Sequence, residues 1–189
     1  MGAFLFQLFP AIQDELLAEE LNSDERVIAG YRFYKKDGIW YPVDEKGVEN
    51  LLFGKWEEFL DANDGKAILF FWDSGHPESN KSYSYWFIPH EIKLLKEINK
   101  AFKKKKGIEF PLYGFEVKDW SYKNKVKLSK VLWEYPEGEI DYPGFIAFYN
   151  GRGFVRIKGP PIADWEIEKN IRFSLDAFDE IFNKDNKKR

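Results

Sequence analysis

The chain has no cysteine and only one methionine among its 189 residues. The absence of cysteine excludes disulfide bonds, zinc sites built from thiolates and cysteine nucleophiles. It also fits a reducing compartment, so we expect a cytoplasmic protein. Few thermolabile residues combined with many Lys and Glu residues are typical of proteins from thermophiles.

Long apolar runs are also lacking. No stretch approaches the roughly 18 residues that a membrane-spanning helix requires. The first residues, MGAFLFQLFPAIQDELL, have no basic region ahead of the apolar ones and soon become acidic, which is not typical of a signal peptide. Phe6 stands where an N-myristoylation motif needs Ser or Thr. These absences predict a soluble protein that has no membrane partner.

The sequence also lacks the motifs of several large enzyme classes. It contains no Gly-x-Ser-x-Gly, no Gly-x-x-x-x-Gly-Lys and no Gly-x-Gly-x-x-Gly that opens a helix. The glycine-rich NGRGF, residues 150–154, lies between two predicted strands, so it is a hairpin turn and not a cofactor cradle. The leading interpretation is a non-enzymatic binding or regulatory module.

Aromatic residues, by contrast, make up 19% of the chain. Each buried aromatic ring removes roughly 150–250 Å² from water, so we interpret the excess as core. A chain of this length suits one domain that buries about 70% of the surface exposed by its unfolded form. We predict a single α+β domain over residues 1–182, followed by a frayed charged tail at 183–189.

Hairpins dominate the predicted sheet. RVIAGYRFYKKDGIWYPV (residues 26–43) forms two β-rich runs around an Asp-Gly pair, and GFIAFYNGRGFVRI (144–157) forms two around an Asn-Gly pair. AILFFW (67–72) is a short apolar run typical of a buried strand. Hairpins interrupted by single helices indicate a largely antiparallel sheet with about four helices, not a doubly wound parallel fold.

The remaining segments divide between helices and strands. Apolar residues over 48–60 recur at helical spacing, and the clearest helix spans about 89–105 and begins at a proline. SYSYWF (82–87) and WEIEKNIRF (165–173) alternate like strands. Ser174 is suited to cap a final helix.

Charge is distributed unevenly along the chain. Residues 92–130 carry 12 lysines and four acidic residues, whereas residues 1–91 carry eight basic and 17 acidic residues. A helix with one basic face neutralises phosphates, which gives salt-sensitive and sequence-independent binding. Trp120 and Tyr122 lie among the later lysines and offer rings on which single-stranded nucleic acid could stack.

These lysines define a predicted binding face within residues 93–130, whose partner is nucleic acid or an acidic protein surface. Its members are Lys93, Lys96, Lys100, Lys103, Lys104, Lys123, Lys125 and Lys127. The simpler interpretation, a solvated face, is favoured by the absence of arginine, because bidentate recognition of phosphates and bases prefers arginine. The acidic remainder of the chain would also repel phosphates.

FEVKDW, residues 115–120, carries the main hint of catalysis. On a strand, Glu116 and Lys118 point to the same face. This triplet resembles the last part of the motif of PD-(D/E)xK nucleases, which implies carboxylates that bind a divalent metal and a cation near the attacking water. The resemblance covers three residues, and an ordinary strand with solvated charges is the favoured interpretation.

A nuclease of that family also needs an acid on the preceding strand. Asp73 lies too far upstream, with a strand and a helix between. Glu109 would face Glu116 if residues 108–118 form a hairpin, but the two would point to opposite faces of a single strand. The sequence leaves this choice open, and a divalent metal cofactor is expected only if the nuclease hypothesis holds.

A second set of metal-ligand types lies around the two histidines of the chain. The candidates are Asp73, His76, Glu78 and His90. No recognised spacing such as His-Glu-x-x-His occurs, and Asp73-Ser74-Gly75 is typical of a turn. Metal binding is therefore a weaker hypothesis than the lysine face.

Three classes of function follow, and each has its own test. The leading class, a binding module, predicts affinity that falls with salt and with Lys93, Lys96 and Lys100 changed to Glu. A metal-dependent nuclease predicts activity that is lost in Glu116→Gln while binding survives. Self-association through exposed aromatics such as Tyr83 and Tyr85 predicts an oligomer whose size depends on concentration.

Overall fold

A computed structural model describes residues 24–74, 84–133, 144–158 and 163–183. They form one mixed sheet with helices on both of its faces, which confirms the predicted α+β class. The strands are β1 (Glu25–Ile28), β2 (Tyr31–Lys36), β3 (Ile39–Pro42), β4 (Ala67–Trp72), β5 (Leu112–Glu116), β6 (Gly144–Tyr149) and β7 (Arg152–Lys158). The helices are α1 (Val48–Gly54), α2 (Trp56–Asp61), α3 (Ser84–Lys106), α4 (Tyr122–Trp133) and α5 (Asp164–Phe178), which a π-helical turn (Asp179–Asn183) continues.

The seven strands lie in the order β1-β2-β3-β5-β4-β6-β7. Four of the six neighbouring pairs are antiparallel, as the hairpins predicted, whereas β5 runs parallel to both β3 and β4. Parallel neighbours need a long crossover, which α3 supplies between β4 and β5. The sheet is therefore antiparallel at both sides and parallel at its centre.

Tight turns fix the register of the outer strands. Asp37 and Asn150 have φ of 53° and 49°, and the glycine that follows each also has positive φ, as a two-residue hairpin of this kind requires. Ala29 and Gly30 form a third such turn, with φ of 50° and 86°. Residues 26–43 therefore contain three strands and not the two runs that the sequence predicted.

The apolar run AILFFW is buried on both sides because both faces of the sheet are covered. Leu69 and Phe71 enter a core beneath α1, α2 and α4, which we call the α4 face. Ile68 and Phe70 enter a second core beneath α3 and α5, which we call the α3 face. Aromatic rings fill both cores, so the aromatic excess of the sequence is largely explained by packing.

Two segments predicted as strands are helical. WEIEKNIRF lies in α5, where Ile167, Leu175 and Phe178 are buried at helical spacing. Trp165 and Phe173 are exposed, and these two rings created the false alternation. Ser174 does not cap a helix: it is buried within α5 and its hydroxyl donates to the carbonyl of Asn170 at 2.8 Å. Residues 84–87 of SYSYWF likewise form the first turn of α3.

Three helix boundaries also differ from the prediction. The apolar stripe over 48–60 is divided between α1 and α2, because Lys55 has φ −130° and ψ 37°. Helix α3 starts before its proline, so Pro89 lies inside it. Residues 122–133 are helical, whereas the sequence left 126–134 ambiguous.

Some of the predicted features fall on residues that the structure does not describe. These are residues 1–23, the segment that contains His76, Glu78 and Tyr83, and the last six residues of the predicted tail. Among the helices that are described, none has the length and apolarity needed to cross a membrane.

Candidate functional site

The predicted lysines of α3 all lie on its solvent-exposed side. Lys93 Nζ lies 3.0 Å from Asp164, Lys103 Nζ lies 2.6 Å from Glu109, and Lys100 Nζ lies 3.6 Å from Glu97. Such exposed pairs contribute at most about 1 kcal/mol each. An anionic partner could therefore exchange with these carboxylates at little cost.

A cleft of about 330 Å³ separates α3 from the turn between β2 and β3. Its lining residues are Gly38, Lys96, Asn99, Lys100, Lys103, Glu109 and Leu112. Three lysines thus converge on a cleft that contains one carboxylate. We call this the lysine cleft.

Asn99 holds one wall of the lysine cleft in place. Its Nδ2 donates to the carbonyl of Phe110 at 2.9 Å, and its Oδ1 accepts from the N–H of Phe110 at 2.8 Å. The ring of Phe110 is buried in the core of the α3 face. The segment that carries Glu109 is therefore anchored to α3 by two hydrogen bonds and one buried ring.

The two long sides of α3 differ in charge. On the side that packs against α5, Lys93 and Lys106 pair with Asp164 and Asp179, the latter at 2.5 Å. On the side of the lysine cleft, Lys96 has no ion pair within the described part of the chain. Of the three lysines that line the cleft, Lys96 is thus the one whose charge is not paired within these residues.

The predicted lysines of α4 lie on the opposite face of the sheet. Lys123 and Lys127 are exposed, and Lys127 Nζ lies 5.5 Å from the centre of the Phe53 ring. Lys125 is mostly buried, and its Nζ lies 2.8 Å from Asp73 Oδ2 and 2.8 Å from the carbonyl oxygen of Lys118. The eight predicted lysines therefore form two separate surfaces.

The two aromatic residues predicted to accompany these lysines have different environments. Trp120 is buried on the α4 face, and its indole N–H donates to the carbonyl of Glu45 at 3.1 Å. Tyr122 is 73% exposed on the same face. Trp120 thus belongs to the core, whereas Tyr122 is mostly exposed to solvent.

A second cluster of polar residues lies at the carboxyl ends of the three parallel strands. Glu45 follows β3, Glu116 ends β5, and Asp73 and Ser74 follow β4. From this edge β4 leads to α3 on one face, whereas β5 leads to α4 on the other. Such a switch in direction opens the crevice in which ligands bind to many α/β sheets. We call this cluster the carboxyl edge.

Hydrogen bonds link the carboxylates of the carboxyl edge. The Ser74 hydroxyl donates to Glu116 Oε1, and the N–H of Glu116 donates to Glu45 Oε2 at 3.3 Å. Burial raises the pKa of Glu45 to about 7; the charges of Glu116 and Asp44 also raise it, while the N–H bond from Glu116 lowers it. A carboxyl with this pKa suits proton transfer near neutral pH.

The catalytic candidates are only partly brought together. Residues 112–116 form one strand, so the hairpin alternative is wrong, and Glu109 lies beyond the opposite end of that strand from Glu116. Asp73 follows Trp72, which pairs with Glu116 in the parallel ladder, so the two backbones are neighbours. Because side chains alternate along a strand, Asp73 points to the α4 face, where it pairs with Lys125, and Glu116 points to the other face. The prediction that Asp73 lies too far upstream rests on the residues between Asp73 and Glu116, which include α3, the crossover that joins β4 to β5. Lys118 is exposed in the turn after β5.

The metal-ligand candidates do not form a group in the structure. Asp73 faces Lys125, and His90 is exposed on α3. His76 and Glu78 lie outside the described residues. Within the residues that are described, no three His, Asp or Glu side chains are grouped so that they could hold a metal ion.

Sequence reasoning missed Glu45 and the buried Glu91. Glu45 joins the carboxyl edge because β3 and β5 are parallel neighbours, a pairing that no local pattern of residues indicates. Glu91 is fully buried on α3. Its position among Leu94, Leu95 and Ile98 at helical spacing was the available signal.

The comparisons with known proteins add no functional assignment to this geometry. No protein-family model matches the chain, and no curated protein matches it either.

Proposed function

We propose that the protein is a non-enzymatic binding module that takes up an anionic partner in the lysine cleft. The observation that carries this proposal is the convergence of Lys96, Lys100 and Lys103 on one cleft of about 330 Å³. Lysines that approach phosphates or carboxylates release bound counterions, which supplies affinity without sequence recognition. The lysines of α3 bind the partner, and the lysines of α4 do not take part.

Two further observations support an anionic partner. The carboxylates next to Lys100 and Lys103 are exposed, so a partner with higher charge density replaces them at little cost. Asn99 is fixed by two hydrogen bonds to Phe110, so the cleft keeps its shape when it is empty. A preformed cleft reduces the ordering cost of binding.

The test measures fluorescence anisotropy of a labelled single-stranded oligonucleotide of about 12 nucleotides, with a duplex and an acidic peptide as competitors. Between about 20 and 200 mM salt, log K should fall with log salt with a slope of roughly −2, since about three phosphates are neutralised. The double variant Lys96→Glu, Lys100→Glu should bind at least about tenfold more weakly.

The matched control is Lys123→Glu, Lys127→Glu, which changes the net charge by the same amount on the opposite face of the sheet. It should weaken binding by less than about threefold, because only long-range attraction is affected. Equal losses in the two double variants would mean that net charge and not the cleft governs binding. The absence of binding at low salt would overturn the proposal.

A second candidate function is metal-dependent phosphodiester cleavage at the carboxyl edge. The observation in its favour is the pairing of Trp72 with Glu116, which makes the backbone of Asp73 a neighbour of the strand that carries Glu116, although the two carboxylates point to opposite faces of the sheet. Two carboxylates on neighbouring strands and a nearby lysine are the residue types that this reaction needs. Against it, Asp73 already pairs with Lys125 at 2.8 Å.

Incubation of labelled oligonucleotides with Mn²⁺ at low salt separates the two candidates. Intact oligonucleotide that binds and is released by salt is the result we expect. Cutting that requires Mn²⁺ and is lost in Glu116→Gln, with binding unchanged, would establish the second candidate instead.

A further inference from the structure

Helices α3 and α5 leave part of the α3 face uncovered. The core beneath them includes residues of β3, β4, β5, β6 and β7, but its described members include none from β1 or β2. Arg32, Tyr34 and Lys36 of β2 point to this side and are exposed, and Arg32 pairs with Glu25 at 3.0 Å. The uncovered area borders the lysine cleft, because Gly38 in the β2–β3 turn lines that cleft.

Two tyrosine rings lie side by side on the uncovered area. Tyr34 and Tyr41 are paired across the β2–β3 ladder, and their ring centres are 5.7 Å apart with an interplanar angle of 31°. Tyr34 is 41% exposed, and Tyr41 is half-buried. Together they form a small aromatic surface with a free ring face at Tyr34.

The ring of Tyr41 is held against the sheet by a close approach to β5. A Cβ atom added at Gly114 would lie 2.6 Å from Tyr41 Cε1, so only glycine leaves space for the ring there. Tyr41 meets Trp72 edge-on above Gly114, with ring centres 6.2 Å apart. Tyr41 therefore gives Tyr34 a fixed neighbour.

The aromatic surface carries little charge of its own. Burial, with contributions from Tyr34, Asp37 and Glu45, raises the pKa of Tyr41 to about 12, so its hydroxyl is neutral at physiological pH. A lysine lies near this surface: Lys36 is two residues along β2 from Tyr34, and it pairs with Ile39 across the β2–β3 ladder. At roughly 3.3 Å per residue, the rings lie about 7–10 Å from the turn that lines the lysine cleft. This spacing matches one or two nucleotides of an extended strand.

We propose that the anionic partner is single-stranded nucleic acid, with its phosphates in the lysine cleft and a base stacked on Tyr34. This inference rests on the proposed function of the cleft. An exposed ring beside a basic groove is the arrangement by which proteins hold single strands without reading their sequence. A duplex keeps its bases stacked on one another, and a peptide of Asp and Glu residues has no aromatic ring to place on Tyr34. Lysine without arginine at the cleft also suits sequence-independent binding.

The experiment compares labelled oligothymidylate with an abasic deoxyribose-phosphate chain of the same length. Tyr34→Ala should weaken the binding of oligothymidylate by about five- to a hundredfold and leave the abasic chain unaffected. Tyr34→Phe keeps the ring and should bind within about twofold of the parent protein. The matched control is Tyr122→Ala, which removes a more exposed ring from the α4 face and should change neither affinity.

A spectroscopic measurement on the unaltered protein makes the test independent of folding in the variants. A single-stranded oligonucleotide with 2-aminopurine should lose fluorescence on binding, because a stacked base is quenched. The quenching should be absent with Tyr34→Ala. Bound oligonucleotide without quenching by the unaltered protein would overturn the inference.

The outcomes separate this inference from the function on which it rests. Suppose that Tyr34→Ala binds oligothymidylate and the abasic chain normally, while the double variant Lys96→Glu, Lys100→Glu binds neither. The cleft then binds anions, and the proposed stacking of a base on Tyr34 is wrong. If the lysine variant also binds normally, both proposals fail. A duplex or an acidic peptide that competes as well as the single strand would overturn the choice of partner.

Discussion

Helices α3 and α4 both carry several lysines, yet the two faces of the sheet use them differently. On α3, Lys96, Lys100 and Lys103 line an open cleft. On α4, Lys125 is mostly buried and pairs with Asp73, and Lys127 lies over the ring of Phe53. The same residue type therefore lines an exposed cleft on one face and pairs with a buried carboxylate on the other. What surrounds a lysine decides its role, and its position in a basic segment does not.

The buried carboxylates of the two faces differ in the same way. Asp73, 9% exposed at its side chain, has a lysine 2.8 Å away. Glu91 is fully buried beneath α3, and neither of its carboxylate oxygens has a hydrogen-bond partner among the described residues. Burial alone raises the pKa of Glu91 well above its usual value. One face thus pairs its buried carboxylate with a lysine, and the other buries a carboxyl whose pKa is raised by burial.

The largest effect should come from removing the internal lysine. Lys125→Met leaves Asp73 buried without its cation and should lower the free energy of unfolding by about 2–3 kcal/mol. Lys96→Met, on the other basic helix, should change it by less than about 0.5 kcal/mol. Urea unfolding of both variants measures the difference. Equal stability of the two would remove the contrast between the helices.

Replacing Glu91, in contrast, should raise the free energy of unfolding. Glu91→Met replaces it with an apolar side chain of similar size and should raise the free energy of unfolding by about 1–3 kcal/mol at pH 7. Because the pKa of Glu91 is raised on folding, its contribution is most favourable at low pH and is lost as pH rises through the folded pKa. The gain should therefore grow with pH.

Glu97→Met is the control for that measurement, since Glu97 is a more exposed residue of the same helix. It should change stability by less than about 0.5 kcal/mol at any pH. A loss of stability in Glu91→Met would mean that the buried carboxyl has a partner.

Two glycines test how tightly each face is packed. Gly114→Ala places a methyl group 2.6 Å from Tyr41 on the α3 face and should cost about 1–2 kcal/mol. Gly153→Ala places one 3.4 Å from Ile146 on the α4 face, close to an ordinary contact, and should change stability by less than about 0.5 kcal/mol. Thermal unfolding measures both. If Gly114→Ala is equally harmless, Tyr41 is not held against β5 in the way described.

The smallest change in stability is expected at Glu45 of the carboxyl edge. Because folding raises the pKa of Glu45 to about 7, its carboxyl favours the folded state below about pH 4.5, and this contribution is lost as pH rises through about 7. Glu45→Gln should therefore be more stable than the parent protein at pH 8 by on the order of 1 kcal/mol, reduced because the carboxyl is partly exposed. At pH 4 the difference should vanish. Urea unfolding at both pH values measures it.

Short sequence patterns correctly predicted the turns and the strand that depend on only a few neighbouring residues. Asp37-Gly38 and Asn150-Gly151 specify their turns through positive φ, and AILFFW specifies a strand buried on both faces. Alternation misled at residues 165–173, because two exposed aromatic rings imitated the period of a strand. A single sequence does not separate rings that pack in the core from rings that face water.

The candidate site was predicted only in part. The lysines of α3 stood out from their spacing, and the structure leaves them exposed as expected. The approach of Asp73 to Glu116 and the inclusion of Glu45 were not predictable, because both depend on parallel pairing across a long crossover. The exposure of Tyr34 beside the half-buried Tyr41 was not predictable either, because it depends on which parts of the sheet the described helices cover.

The sequence by itself determined the α+β class, the outer hairpins, the basic character of α3 and the absence of cysteine chemistry. These follow from periodicity, turn residues and composition, which act over a few residues. The tertiary structure decided which face of the sheet each helix covers, which lysines are internal and which carboxylates meet. Those outcomes depend on contacts between residues distant in the chain, where burial and pairing outweigh local preference.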